Sequence, residues 1–109
     1  MPYKILTVPH FDRELKHLAK KYHSLKGEYQ GLIEELKGNP EKGTPLGNNL
    51  YKIRLAIASK GRGKSSGARV ITYLKTKRDE VYLLSIYDKG ERDTISDKEI
   101  KDILSAAIE

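Results

Sequence analysis

The sequence predicts an α+β fold, a twisted antiparallel sheet with an N-terminal helical hairpin and a C-terminal helix in the order β-α-α-β-β-β-α. Three observations predict it. Residues 50–87 hold three runs of strand chemistry, and residues 9–38 repeat apolar side chains at helical spacing. Ser96-Asp97-Lys98-Glu99 is a capping box that opens a last helix. At 109 residues the chain is expected to form one domain over residues 1–109. A domain of this size buries roughly two-thirds of its unfolded surface, enough for a core without staples.

In order, residues 3–8 (YKILTV) form a short β-type run. From Pro9 the period changes: Phe11, Leu15, Leu18 and Tyr22 make one helical stripe. Pro9 suits a first turn and Asp12 the positive end of the helix dipole. His23-Ser24 reads as a break. Tyr29, Leu32, Ile33 and Leu36 then resume helical spacing as far as Gly38, a stop before Asn39-Pro40. Residues 39–49, rich in Gly, Pro and Asn, read as loop. Residues 50–58 alternate, with Tyr51, Ile53, Leu55 and Ile57 on one face and Lys52, Arg54, Ala56 and Ala58 on the other. That is a half-buried strand with two cations on its second face. Residues 68–75 and 81–87 are apolar on both faces, as central strands are, and residues 77–80 make a tight polar turn between them. The three strands should form an antiparallel meander. In the last element the Ser96 hydroxyl accepts from the Glu99 amide while Glu99 reaches back, with Ile95 and Ile100 as the hydrophobic staple. Ile100, Ile103, Leu104 and Ala107 supply the apolar stripe.

Composition narrows the function. There is no cysteine, which excludes disulfides, thiol catalysis and Cys-ligated zinc. No run approaches the about 18 apolar residues of a membrane span, and residues 1–11 lack the apolar run of a signal peptide, so a cytoplasmic location is expected. The net charge is +6, unevenly spread. Residues 50–78 hold nine Lys/Arg and no Asp/Glu, while the rest of the chain sums to −3. A field localised in this way favours a polyanionic partner.

Three signals carry chemistry. The connection over residues 59–67 (SKGRGKSSG) is long for a hairpin and interleaves glycines with Lys60, Arg62 and Lys64, a pattern suited to successive phosphates. Gly63-Lys64-Ser65 is not a nucleotide-binding P-loop. Ala58 stands where that motif needs its first glycine, and the loop leads into a strand rather than a helix. Next, Lys52 and Arg54 lie two apart and so share a strand face, while Arg69 opens the following antiparallel strand. Cations gathered at one rim repel unless an anion fills the space between them. Arginine is a permanent fork for a phosphate in its transition state; lysine crowded by cations gives up its proton more readily. Last, Tyr87-Asp88-Lys89 ends the third strand. Lys89 reaches toward the same rim, Tyr87 is a candidate for stacking or phosphate contact, and Asp88 is a candidate ion-pair partner. His10, His17 and His23 show no metal-ligand spacing and read as helix-surface residues.

The stretch LYKIRLAIASKGRGKSSGARVITYLK, followed by VYLLSIYDKGERDTISDKEIKDIL, resembles the RelE/ParE superfamily of bacterial type II toxins. Its long basic loop and SGAR segment resemble the HigB-like branch most. The resemblance implies a small basic toxin that acts as a metal-independent, ribosome-dependent mRNA endoribonuclease, needs no cofactor and is neutralised by a cognate antitoxin, for HigB-like toxins usually one with a helix-turn-helix domain. It implies catalytic roles for Lys52 and Arg54, at the positions of two family lysines, for Arg69, at a family arginine, and for Lys89, where another arginine sits. The family's C-terminal tyrosine would fall near Ile95-Ser96, where this chain has none, and Tyr87 is the candidate substitute. Lys60, Arg62 and Lys64 would hold RNA backbone. Two other readings remain open: a ParE-like gyrase inhibitor, or a non-catalytic module that binds nucleic acid or antitoxin.

Overall fold

The computed structural model describes residues 2–60 and 67–108. Strand β1 (Lys4–Thr7) leads into helix α1 (Pro9–Lys21) and helix α2 (Leu25–Gly38). Strands β2 (Thr44–Gly47), β3 (Leu50–Leu55), β4 (Ala68–Lys75) and β5 (Glu80–Asp88) follow, and helix α3 (Asp97–Ile108) ends the chain. The sheet order is β1-β5-β4-β3-β2. The α+β class and the antiparallel β3-β4-β5 meander are as expected. Two details differ. β1 pairs with β5 in parallel, so the sheet is mixed rather than wholly antiparallel. Residues 39–49 are not all loop, because β2 pairs antiparallel with β3 and makes the order β-α-α-β-β-β-β-α.

The strand β2 escapes periodicity because Thr44-Pro45-Leu46-Gly47 buries nothing; all four residues are exposed. Pro45 is tolerated because an edge strand has one unpaired side. The turn into β3 places Asn48 and Asn49 at φ 55° and 65°, the left-handed region that asparagine enters readily.

Helix α1 buries Phe11 and Leu18, and α2 buries Leu25, Leu32 and Leu36; the Phe11 and Tyr29 rings meet at 5.8 Å across the hairpin. These side chains join Ile53, Val70 and Ile86, which face one another across β3, β4 and β5, in one continuous core. Where β1 ends, Glu14 of α1 takes over the edge of β5 and accepts from the Ser85 hydroxyl (2.8 Å) and the Ile86 amide (3.1 Å).

Strand β3 stops at Leu55, three residues short of the alternating run, because residues 58–60 turn as a short 3-10 helix tied to α2. The Ala58 amide donates to Glu28 Oε2 at 2.6 Å and the Ser59 amide to Ser24 Oγ at 3.0 Å. At the start of α3 the Glu99 amide donates to Ser96 Oγ at 3.1 Å, the expected cap. Ile95 and Ile100 are buried as its staple.

Candidate active site

Register decides which side chains meet. In β3–β4 pairing Arg54 stands opposite Arg69, and in β4–β5 pairing Arg69 stands opposite Tyr87. Directly opposed residues share a face, as do residues two apart along a strand. Lys52 therefore joins Arg54, and Thr44 of β2 lies opposite Lys52. The sheet face away from Ile53, Val70 and Ile86 thus carries a row of cations.

That row lines an open cleft of about 380 Å³. Lys52, Arg54, Arg69 and Lys89 converge on it. Thr44 and Leu46 of the β2 edge form one wall; Asp93 and Thr94, from the turn between β5 and α3, form the other. Arg54 is exposed and Lys52 half-buried, whereas Arg69 is only 5% exposed and donates to the Ala68 carbonyl at 3.2 Å. A guanidinium fixed this deeply is aimed before any ligand arrives. Four cations against one carboxylate leave a positive hollow at which an anion relieves the repulsion.

Lys89 is placed by its own backbone, whose amide donates to the Gly67 carbonyl at 2.9 Å. Position 67 has to be glycine: a Cβ there would sit 2.2 Å from the Leu55 carbonyl oxygen. The Lys89 ammonium pairs with Asp93. Lys89, then Lys52 and Arg69, hold the Asp93 carboxyl below the usual carboxylate range. The turn itself is braced by Arg92, which donates to the Thr94 carbonyl at 3.0 Å, pairs with Glu99 and stacks on the Tyr87 ring at 5.7 Å.

Tyr87 belongs to the row but not to the cleft lining. It is 5% exposed, and its hydroxyl is buried beside Thr94. Burial pushes the Tyr87 phenol up, against the pull of Thr94 and of Arg69, Arg92 and Lys89. Lys60 lies elsewhere. Its ammonium meets Asp88 Oδ1 at 2.6 Å in a second cluster, where Asp88 also accepts from the Tyr22 hydroxyl (2.6 Å) and the Gly90 amide (2.9 Å). Burial opposes charge on Asp88, but Lys60, Tyr22 and Gly90 outweigh it and hold the carboxyl below its usual range. Asp88 is thus the ion-pair partner expected of it. Arg62 and Lys64 lie outside the described residues.

Sequence reasoning missed Asp93, Thr94, Thr44 and Leu46. None sits in a periodic run, and only the pairing of β2 and the fold of the β5–α3 turn bring them to the cations. A separate hollow of about 310 Å³ between α1 and the end of β5 includes His17 but mixes Arg13 and Arg92 with Glu14 and Glu91, so it has no field of one sign. Among the described residues no three His, Asp or Glu side chains cluster as metal ligands would, and no helix is long and apolar enough to cross a membrane.

Comparison with known proteins agrees with this architecture. Residues 10–109 match the family model described as the RelE toxin of the RelE/RelB toxin–antitoxin system. The free Escherichia coli toxin RelE, in a variant with two arginines replaced by alanine, superposes with a TM-score of 0.62 at 19% identity, over 97% of each chain. A chain of the intact E. coli RelBE toxin–antitoxin complex gives 0.61 at 18% identity, over 79% of this chain and 95% of that one. A chain of a RelBE toxin–antitoxin complex from Mycobacterium tuberculosis gives 0.60 at 17% identity, over 81% and 99%. At such identities the superpositions speak for the fold, and the family match, which spans nearly all of the sequence, speaks for membership. The chain belongs to the RelE family of toxins of type II toxin–antitoxin systems.

Proposed function

We propose that the protein is a translation-inhibiting endoribonuclease that cuts mRNA on the ribosome in the cytoplasm and is held in check by a cognate antitoxin. The observation that carries this reading is the convergence of Lys52, Arg54, Arg69 and Lys89 on one cleft. RNA carries its own nucleophile. Attack of a ribose 2′-hydroxyl on the adjacent phosphorus gives a cyclic phosphate and a free 5′-hydroxyl. Arg54 and Arg69, opposite one another in register, stabilise the charge that builds on the phosphorane oxygens. Lys52 donates the proton that the departing 5′-oxygen needs, and Lys89 clamps the phosphate. An antitoxin with acidic side chains would find its target in the same cations, and the E. coli and M. tuberculosis relatives form toxin–antitoxin complexes.

The test is expression without a partner. Induced alone, the protein should arrest growth and leave new 5′ ends in mRNA by primer extension. The double substitution Arg54→Ala with Arg69→Ala should abolish both effects while the protein still folds. Intact mRNA with a DNA-damage response would point instead to a gyrase poison, and undiminished cutting by the double variant would remove the cleft from the reaction.

A further inference from the structure

We propose that Asp93 accepts the proton of the attacking 2′-hydroxyl. The proposal rests on the reading of this cleft as an RNA-cleaving site, and it fills the one chemical role that the cations leave vacant. Lys52, Arg54, Arg69 and Lys89 offer N–H donors, which suit phosphate oxygens and a leaving group but, as cations, provide no lone pair. Of the described residues that line the cleft, Asp93 alone brings a carboxylate, and none brings an imidazole. His10 and His17 lie on α1 and His23 follows its end. The Tyr87 phenol is shut away behind the cleft lining. Residues 61–66 read Gly-Arg-Gly-Lys-Ser-Ser, without a histidine or a carboxylate.

The placement suits a carboxylate that becomes a base once RNA is bound. Asp93 lines the cleft and is 88% exposed at the side chain, so RNA can reach it, and its contact with Lys89 keeps it ionised. When Lys89 moves onto the scissile phosphate, the carboxylate loses its nearest cation and gains a neighbouring negative charge, and both changes make it more basic. The step balances. The 2′-oxygen gives its proton to Asp93 and bonds to phosphorus; the bond from phosphorus to O5′ breaks, and O5′ takes a proton from Lys52. Asp93 ends protonated and Lys52 neutral, and exchange with water restores both.

Single-turnover cleavage of a short mRNA on ribosomes, saturated with toxin, tests this. Two substrates are compared, one with an ordinary scissile phosphate and one with sulfur in place of the bridging 5′-oxygen. A thiolate leaves without a proton, so sulfur repairs the loss of an acid but not of a base. Asp93→Asn should slow both substrates by about 10²–10⁴-fold, the usual worth of general base catalysis. Asp93→Glu, which keeps the carboxylate, should stay within about tenfold of wild type, and Lys52→Ala should be slow on the ordinary substrate only. An unchanged or faster Asp93→Asn, beside an inactive Arg54→Ala/Arg69→Ala, would overturn the role of Asp93 and leave the cleft reading intact. Restoration of Asp93→Asn by sulfur would place the residue on the leaving-group side and equally overturn it. A wild-type protein that cuts neither substrate would overturn both readings. Because the side chain is exposed, Asp93→Asn should melt as the parent does.

Discussion

Removing the Asp88 carboxylate should cost a large share of the stability of the fold. Its side chain is 2% exposed and that of Lys60 11%, and the two meet at 2.6 Å. Asp88→Ala takes the carboxylate from the Lys60 ammonium and leaves the Tyr22 hydroxyl and the Gly90 amide without this acceptor. Breaking a buried pair from one side costs about 3–5 kcal/mol, a large share of the about 5–15 kcal/mol that holds a domain together. At about 4 °C per kcal/mol for a chain of this length, the melting point should fall by about 12–20 °C. Asp88→Asn keeps the shape and one acceptor and should lose less, about 1.5–3 kcal/mol. The sign with pH is fixed. Asp88 has a lower pKa folded than unfolded, so its contribution is complete above the unfolded value of about 3.9 and is lost as pH falls through the folded value. The gap between parent and Asp88→Ala should therefore be full at pH 7 and shrink on acidification below about pH 4. Urea melts across that range, in an Arg54→Ala background to spare the host, measure it. A cost under about 0.5 kcal/mol at pH 7, or a gap that widens in acid, would refute the account.

Two further outcomes follow from the geometry around the cleft. Gly67→Ala forces a methyl group against the Leu55 carbonyl and should cost about 1–3 kcal/mol in urea melts. Because Gly67 anchors the Lys89 backbone, the same change should slow cleavage beyond what its stability loss explains. Ser96→Ala removes the acceptor for the Glu99 amide and should cost about 1 kcal/mol, read as a melting point lower by about 4 °C.

Much of this was legible in one dimension, for reasons that differ by element. β4 was expected over the residues it occupies because a run apolar on both faces has one stable home, the middle of a sheet. The cation row was legible because Lys52 and Arg54 are two apart in a strand, and that spacing fixes their face whatever the rest of the fold does. Partners distant in sequence were not legible. Lys60 sits in a basic loop and reads as a phosphate ligand, and nothing in that reading shows that its ammonium meets a carboxylate 28 residues away. Tyr87 stands at the right register position, but depth below the surface is a property of packing. Asp93 lies in a turn without periodicity, so only the placement of Lys89 by Gly67 shows that an acid reaches the site.

The strand β2 contributes Thr44 and Leu46 to the cleft while burying none of its four residues. Leu46 is the large apolar side chain that the described residues leave open to solvent. Such a border can drift through substitution without taxing the interior. On the proposed reading, selectivity for what enters can then be retuned along a lineage at Thr44 and Leu46, while the arginines behind them stay under the stricter constraint of the sheet.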